Sequence, residues 1–196
     1  MEMITDFIIA QTERLCLREF NINDSDAIFD YAGNAENTVF MEWGPESREE
    51  VQNYLLSRLK DQITEPRTCF DFAVCLKETG TLIGSMGLFL DGKRTQAELG
   101  YIFNSKFWGN GFAAEAAAEI LKFGFMNLDL HRIYAKCDAE NLPSENVMKR
   151  IGMRKEAETK SSVYTKVRGR EQWRSEKLYA MLQREYLNRL FDAVQK

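Results

Sequence analysis

The sequence predicts a mixed α/β (α+β) fold, with a mostly antiparallel central sheet of about seven strands flanked by helices. Three observations carry this. Residues 69–103 run through three segments of alternating side chains separated by turn residues, as an antiparallel meander does. Residues 96–125 then pass from a strand through a loop with two glycines into an alanine-rich helical run. Behind them the chain continues as strand, helix and two more strands, so the meander in front is followed by a strand–helix–strand unit.

Taken in order, Thr12 to Phe20 sets Leu15 and Leu17 between Arg14, Cys16 and Arg18, the pattern of a first strand. Asn23-Asp-Ser-Asp26 offers caps for a helix whose Ala27, Ile28, Tyr31, Ala32 and Ala35 share one face. Ser47 and Glu50 form a capping box for a second helix carrying Val51, Leu55, Leu59 and Ile63. The loop between them, Phe40 to Pro45, is rich in large apolar side chains and either packs on the core or lines a pocket. In the meander, Phe70, Phe72 and Val74 alternate, Lys77-Glu-Thr-Gly80 turns, Leu82 to Leu90 alternate, and Asp91-Gly92 turns into the strand at 96–103. Ile133, Ala135 and Cys137 share a face of the next strand, and Gly152 closes a short helix over 144–151. Two further strands, 155–166 and 172–182, meet around Arg168-Gly169-Arg170. From Gln183 the chain reads as an amphipathic terminal helix whose apolar stripe packs in cis or against a second copy, as in a homodimer.

A chain of 196 residues is read as a single domain, 1–196, with enough length for a real core. A net charge of −4 argues against nucleic acid as the main partner. Four cysteines without Cys-x-x-Cys spacing fit reduced, packed thiols. His131 is the sole histidine, which disfavours a His-based metal site and a Ser-His-Asp triad, so no metal is expected. The apolar patch Phe7 to Ala10 is too short for a secretory signal and no run reaches membrane-spanning length, which suits a cytoplasmic protein.

The glycines at 109 and 111 let backbone N–H groups crowd around an anion, and the helix start adds partial positive charge. A phosphate or diphosphate is the natural occupant. Gly109-x-Gly111-x-x-Ala114 formally satisfies a dinucleotide fingerprint, with Asp138 near the position of a ribose-binding acid. Three mismatches oppose a nicotinamide enzyme. Asn104 to Trp108 separate strand from glycines, the strand alternates instead of running continuously apolar, and it follows a meander.

Ala97-Glu-Leu-Gly-Tyr101, Trp108-Gly-Asn-Gly-Phe-Ala-Ala-Glu-Ala116, Leu130-His-Arg-Ile133 and Asn141-x-x-Ser144 before Gly152 together resemble the GNAT superfamily of N-acetyltransferases. The RimJ/RimL (ribosomal-protein alanine acetyltransferase) branch is the nearest likeness, supported by Gly169-x-x-x-Trp173-Arg174 and Tyr179. The resemblance spans about residues 12–182. It implies a GNAT-like fold with a splayed parallel strand pair, acetyl-CoA as cosubstrate, and direct transfer to a primary amine. The acceptor would be a protein N-terminal α-amine or a small-molecule amine.

Carried over, the diphosphate falls to the backbone of Gly109, Asn110, Gly111, Phe112, Ala113 and Ala114, with Trp108 where relatives often have Gln or Arg. A β-bulge at Gly100 would let Ile102 and Phe103 offer backbone groups to pantetheine and to the thioester carbonyl, and Asn141 would bind a pantetheine amide. Glu98 is the candidate base, or else a cross-strand ion-pair partner; Ser144 is a candidate donor to the departing sulfur, or else a helix cap. Phe40, Trp43, Asp71, Trp173 and Tyr179 would line the acceptor pocket, with Ser175 where many relatives carry Asp. A non-catalytic acyl-CoA-binding regulatory domain would keep the glycine loop without needing Glu98.

Overall fold

The computed structural model describes residues 7–167 and 170–194. Arg168 and Gly169, read above as the tip of the last hairpin and part of a motif, lie outside them. Eight strands form one sheet in the order β1-β2-β3-β4-β5-β6-β8-β7. They are β1 (Ile8–Gln11), β2 (Leu15–Arg18), β3 (Cys69–Leu76), β4 (Leu82–Leu90), β5 (Gln96–Phe103), β6 (Arg132–Asp138), β7 (Arg154–Val167) and β8 (Arg170–Leu182). The helices are α1 (Ser25–Ala32), α2 (Arg48–Gln62), α3 (Phe112–Lys122), α4 (Leu142–Arg150) and the C-terminal α5 (Gln183–Val194).

The strand beyond the expected seven is β1. The run from Thr12 is broken because Thr12 Oγ1 accepts from Leu15 N at 2.8 Å and Thr12 N donates to Leu15 O at 2.9 Å. That tight turn lets Ile8–Gln11 fold back antiparallel on β2. The cap ahead of α1 also falls earlier than expected, on Asn21, which caps a short 3-10 turn at Ile22–Asp24 leading into the helix. The Ser47–Glu50 box forms as read, with Glu50 N donating to Ser47 Oγ and Ser47 N to Glu50 Oε2.

Alternation sorts the strands onto two cores. Phe72, Val74, Leu88 and Leu99 pack with Ile120 of α3 and Met148 of α4 on one face. Ala73, Cys75 and Ile102 pack with Ile28 and Tyr31 of α1 and Leu55 of α2 on the other. All pairings are antiparallel except β5 with β6, which are parallel and matched only from Gln96↔Arg132 to Glu98↔Tyr134. Past Glu98 the two strands separate. The remainder of β6 stays in register with β8 to Asp138↔Glu176, so a gap opens inside the sheet between β5 and β6.

The bulge expected at Gly100 is absent. β4 and β5 keep one register from Leu90↔Ala97 to Gly84↔Phe103. Gly100 is small for another reason: a Cβ there would come within 2.9 Å of the Phe89 ring.

Candidate active site

The unbroken ladder decides which backbone groups of β5 face the gap. Asp91 N donates to Gln96 O and Asn104 N to Ile83 O, each at 2.9 Å. Even-numbered residues of β5 therefore bond to β4, and the N–H and C=O groups of Leu99, Tyr101 and Phe103 point the other way. This corrects the expectation for Ile102, whose backbone belongs to the β4 ladder opposite Ser85. Phe103 does face the gap, although its carbonyl already accepts the Trp108 indole N–H at 2.8 Å. That bond pins Trp108 as the wall of the loop. The gap opens into a cleft of about 780 Å³ that reaches from the glycine loop to Glu98 and on to the 36–43 loop.

At one end of the cleft stands the start of α3. Gly109 and Gly111 both hold φ 80°, a left-handed conformation that suits glycine, and no side chain caps the helix. Its first backbone bond is Glu115 N to Gly111 O, so the N–H groups of Phe112, Ala113 and Ala114 remain available. Asn110 uses its side-chain amide to brace the turn, donating to the carbonyls of Phe107 and Trp108. Two arginines flank this end, and the sequence reading missed both. Arg14 lies over the Phe112 ring and donates to Asn110 O at 3.1 Å, while Arg14 and Arg150 each come within 3.7 Å of a Cβ built on Gly111. Arg150 makes no ion pair among the described residues. Glu115, the acid in this first turn, is drawn aside by Thr12 and Arg14. Burial pushes its carboxyl up, but those hydrogen bonds outweigh burial and hold it below the usual range. An uncapped helix N-terminus with two guanidinium groups favours negative charge at this end of the cleft.

Midway along the cleft, α4 brings Ser144 against β5. Ser144 Oγ and Tyr101 Oη lie 2.8 Å apart, and burial raises the Tyr101 phenol well above its ordinary value, so it stays protonated. Asn141 caps α4, its Oδ1 accepting from Ser144 N at 3.1 Å. The cap role and the cleft position thus coexist for Asn141, whereas Ser144 is not the cap: its N–H is the group Asn141 accepts from, and its hydroxyl meets Tyr101. The sequence placed Tyr101 only at the end of a motif and gave it no role, because its partner lies 43 positions away. On the opposite face of β5, Glu98 shares a side with Gly100 and Ile102, and its carboxylate sits 3.9 Å from Lys136 Nζ across the parallel pair. Glu98 and Tyr101 hence approach the gap from opposite faces of the sheet.

Two expected acceptor residues are elsewhere. Tyr179 is 2% exposed and donates to Glu145 Oε1 at 2.6 Å beneath α4. Lys177 and Lys149 complete that cluster, which holds the Glu145 carboxyl down at about 2, through the hydrogen bonds of Tyr179, Lys177 and Lys149 in that order. Trp173 lies in the part of the β7–β8 hairpin beyond β6, its ring tilted 52° against that of Tyr164, 60% exposed and off the cleft. Ser175 lines the cleft and accepts from Ser161 N. Phe40 lines the cleft, and Trp43 lies at its junction with a second chamber of about 390 Å³. Asp71 lines that chamber from β3. Asp138, weighed as a ribose ligand, is held bidentate by Arg174 at 2.5 and 2.7 Å, which removes the acid a nicotinamide dinucleotide would need.

Residues 14–154 match the family described as an acetyltransferase (GNAT) domain. The chain belongs to the GNAT acetyltransferases. The N-acetyltransferase YnaD of Bacillus subtilis is 33% identical over 175 residues, covering 89% of this chain and 97% of that protein. A GNAT-family acetyltransferase structure from Bacillus anthracis is 31% identical, with a TM-score of 0.79 over 91% of this chain and 99% of that one. RimL, a ribosomal L7/L12 α-N-protein acetyltransferase solved with coenzyme A, shares the fold at 17% identity, with a TM-score of 0.76 over 89% of this chain and 97% of that one. The GNAT fold here is thus a mixed α/β sheet of eight strands with one parallel pair and a C-terminal helix.

Proposed function

We propose that this acetyltransferase takes acetyl-CoA as cosubstrate and passes the acetyl group directly to a primary amine, without an acyl-enzyme intermediate. The observation that carries this is the gap between β5 and β6. It runs from an anion-binding helix start to a carboxylate, and one wall presents unused strand backbone. In this reading the diphosphate lies on the N–H groups of Gly109 to Ala114 with Arg14 and Arg150 beside it. The pantetheine arm bonds to the backbone of Phe103 and Tyr101 as an added strand, and to Asn141. RimL binding coenzyme A on the same fold supports this placement.

Chemistry then follows from what flanks the thioester. The amine nitrogen attacks the carbonyl carbon, and the oxygen gains charge that the N–H of Tyr101 stabilises. The amine proton passes through water to Glu98, a partly exposed carboxylate with Lys136 3.9 Å away and the Tyr134 hydroxyl beside it. Collapse breaks the C–S bond, and the Tyr101 phenol, which burial keeps protonated, and Ser144 hydrogen-bond to the departing thiolate, which takes its proton from solvent.

Glu98→Gln tests the assignment. Thiol release with a panel of amines should lose about 10²- to 10⁴-fold in kcat while acetyl-CoA binding stays within twofold. Unchanged turnover would reduce Glu98 to a cross-strand partner of Lys136. Absence of acetyl-CoA binding to the wild-type protein would refute the whole reading.

A further inference from the structure

The second chamber joins the cleft at Gly100, Tyr101 and Ile102 and lies between the sheet, α1 and α2. Its sides are apolar, from Ile28, Ala32 and Val51, but its inner end is not. Asp71 is 6% exposed there; Tyr54 donates to its Oδ2 at 2.7 Å and Arg58 lies 3.5 Å from the same oxygen. Arg58 is shared, since it also sits 3.1 Å from Asp61. One guanidinium thus faces two carboxylates, and a third, Glu46, lines the chamber as well. The cleft leading to the chamber adds Glu42, Glu98 and Glu176 around Lys136, which attracts the Glu176 charge while Glu98 and Glu42 repel it. A buried carboxylate short of positive charge is costly unless a cation joins it.

A second observation, independent of the acids, points to a ligand. Tyr31 lines the chamber and is 1% exposed, and its hydroxyl makes no well-formed hydrogen bond among the described residues, with only a loose approach to Ser85. Ser85, 5% exposed, lines the chamber too. Asp71, Tyr31 and Ser85 present three oxygens, the number of donors an ammonium carries. A carboxylate would meet Asp71 and Glu46 with only the shared Arg58 to receive it.

Resting on the acetyl-transfer reading above, we propose that this chamber holds the non-reacting end of the acceptor, and that this end carries a second cationic group. The acceptor is a compact diamine. One amine reaches the gap beside Glu98, and the other binds Asp71 with Tyr31 and Ser85 around it. The chamber, at about 390 Å³, takes a short aliphatic chain, so the acceptor is free and small.

The test compares diaminopentane, pentylamine, aminopentanoate and an alanine-first tripeptide by thiol release at saturating acetyl-CoA. Diaminopentane should exceed pentylamine in kcat/KM by about 30-fold or more, mainly through KM. Asp71→Asn should collapse that ratio to about threefold or less, since it removes the charge and keeps the shape. Tyr31→Phe, which removes one buried hydroxyl, should lower the ratio about fivefold and serves if the Asp71 variant fails to fold. A wild-type ratio near one, or preference for aminopentanoate or the tripeptide, overturns the proposal. So does turnover of none of the four by protein that binds acetyl-CoA, a result that leaves the direct-transfer reading to the Glu98→Gln test.

Discussion

Replacing Gly111 with alanine separates the fold's need for this glycine from the ligand's. A Cβ at Gly111 would meet only Arg14 Nη2 and Arg150 Nη1, each at 3.7 Å, which is ordinary contact. The cost to stability is therefore conformational: an L-residue held at φ 80° loses about 1–2 kcal/mol. For a chain of this size each kcal/mol lowers Tm by about 2–4 °C, so a fall of about 2–8 °C is expected in thermal melts without ligand. Binding suffers separately. The methyl group would occupy the space between the two guanidinium groups into which the bare helix N-terminus points, keeping a phosphate off the amides. Losing that close approach should weaken acetyl-CoA by about tenfold or more, equivalent to about 1.4 kcal/mol, in titration calorimetry. Acetyl-pantetheine lacks the diphosphate and supplies the control. Its KM as acetyl donor should change less than about twofold. Equal losses for both donors would refute the assignment of the glycine loop to phosphate, and an unchanged Tm would refute the conformational cost.

Arg150→Ala should raise the acetyl-CoA Kd by about tenfold at low salt, and the difference from wild type should shrink as salt screens the exposed charge. A salt-independent loss would mean that Arg150 acts through packing. The Glu145 cluster makes a pH prediction. Its folded-state carboxyl, near 2, lies below the ordinary 4.5, so it contributes stability above about pH 4.5 that is lost as pH falls toward 2. Glu145→Gln should thus unfold at lower urea at pH 7 and show a flatter loss between pH 4.5 and 2 than wild type; parallel curves would remove Glu145 from that role.

The alternating meander and the Ser47–Glu50 box were legible because strand and helix periodicity are local properties. Gly109 and Gly111 were legible because a left-handed turn into a helix selects glycine within a few residues. The candidate ligand end of the site, from Trp108 to Ala114, was readable for that reason. Ser144 and Asn141 were readable only as members of a motif, since a cap and a ligand contact have the same local signature.

What the sequence missed depended on partners far along the chain. Arg14 reaches Glu115 across 101 positions. Tyr101 meets Ser144 across 43, and nothing local marks either arginine or that tyrosine as different from surface or core neighbours. Gly100 suggested a bulge because glycine in a strand often marks one, whereas tertiary packing used it to admit the Phe89 ring. That single difference in register moved the gap-facing backbone from Ile102 to Tyr101. Tyr179, paired with Ala135 inside the β6–β8 ladder, was misassigned because it turns to Glu145 of α4, and Trp173 because β8 outlasts β6. The sequence by itself determined the elements, their faces and the glycine turn into α3, all set by interactions within a few residues. Only the tertiary structure decided where β5 and β6 part, which charges meet at the gap and what stands at the inner end of the second chamber, because those depend on pairing between residues that the chain keeps far apart.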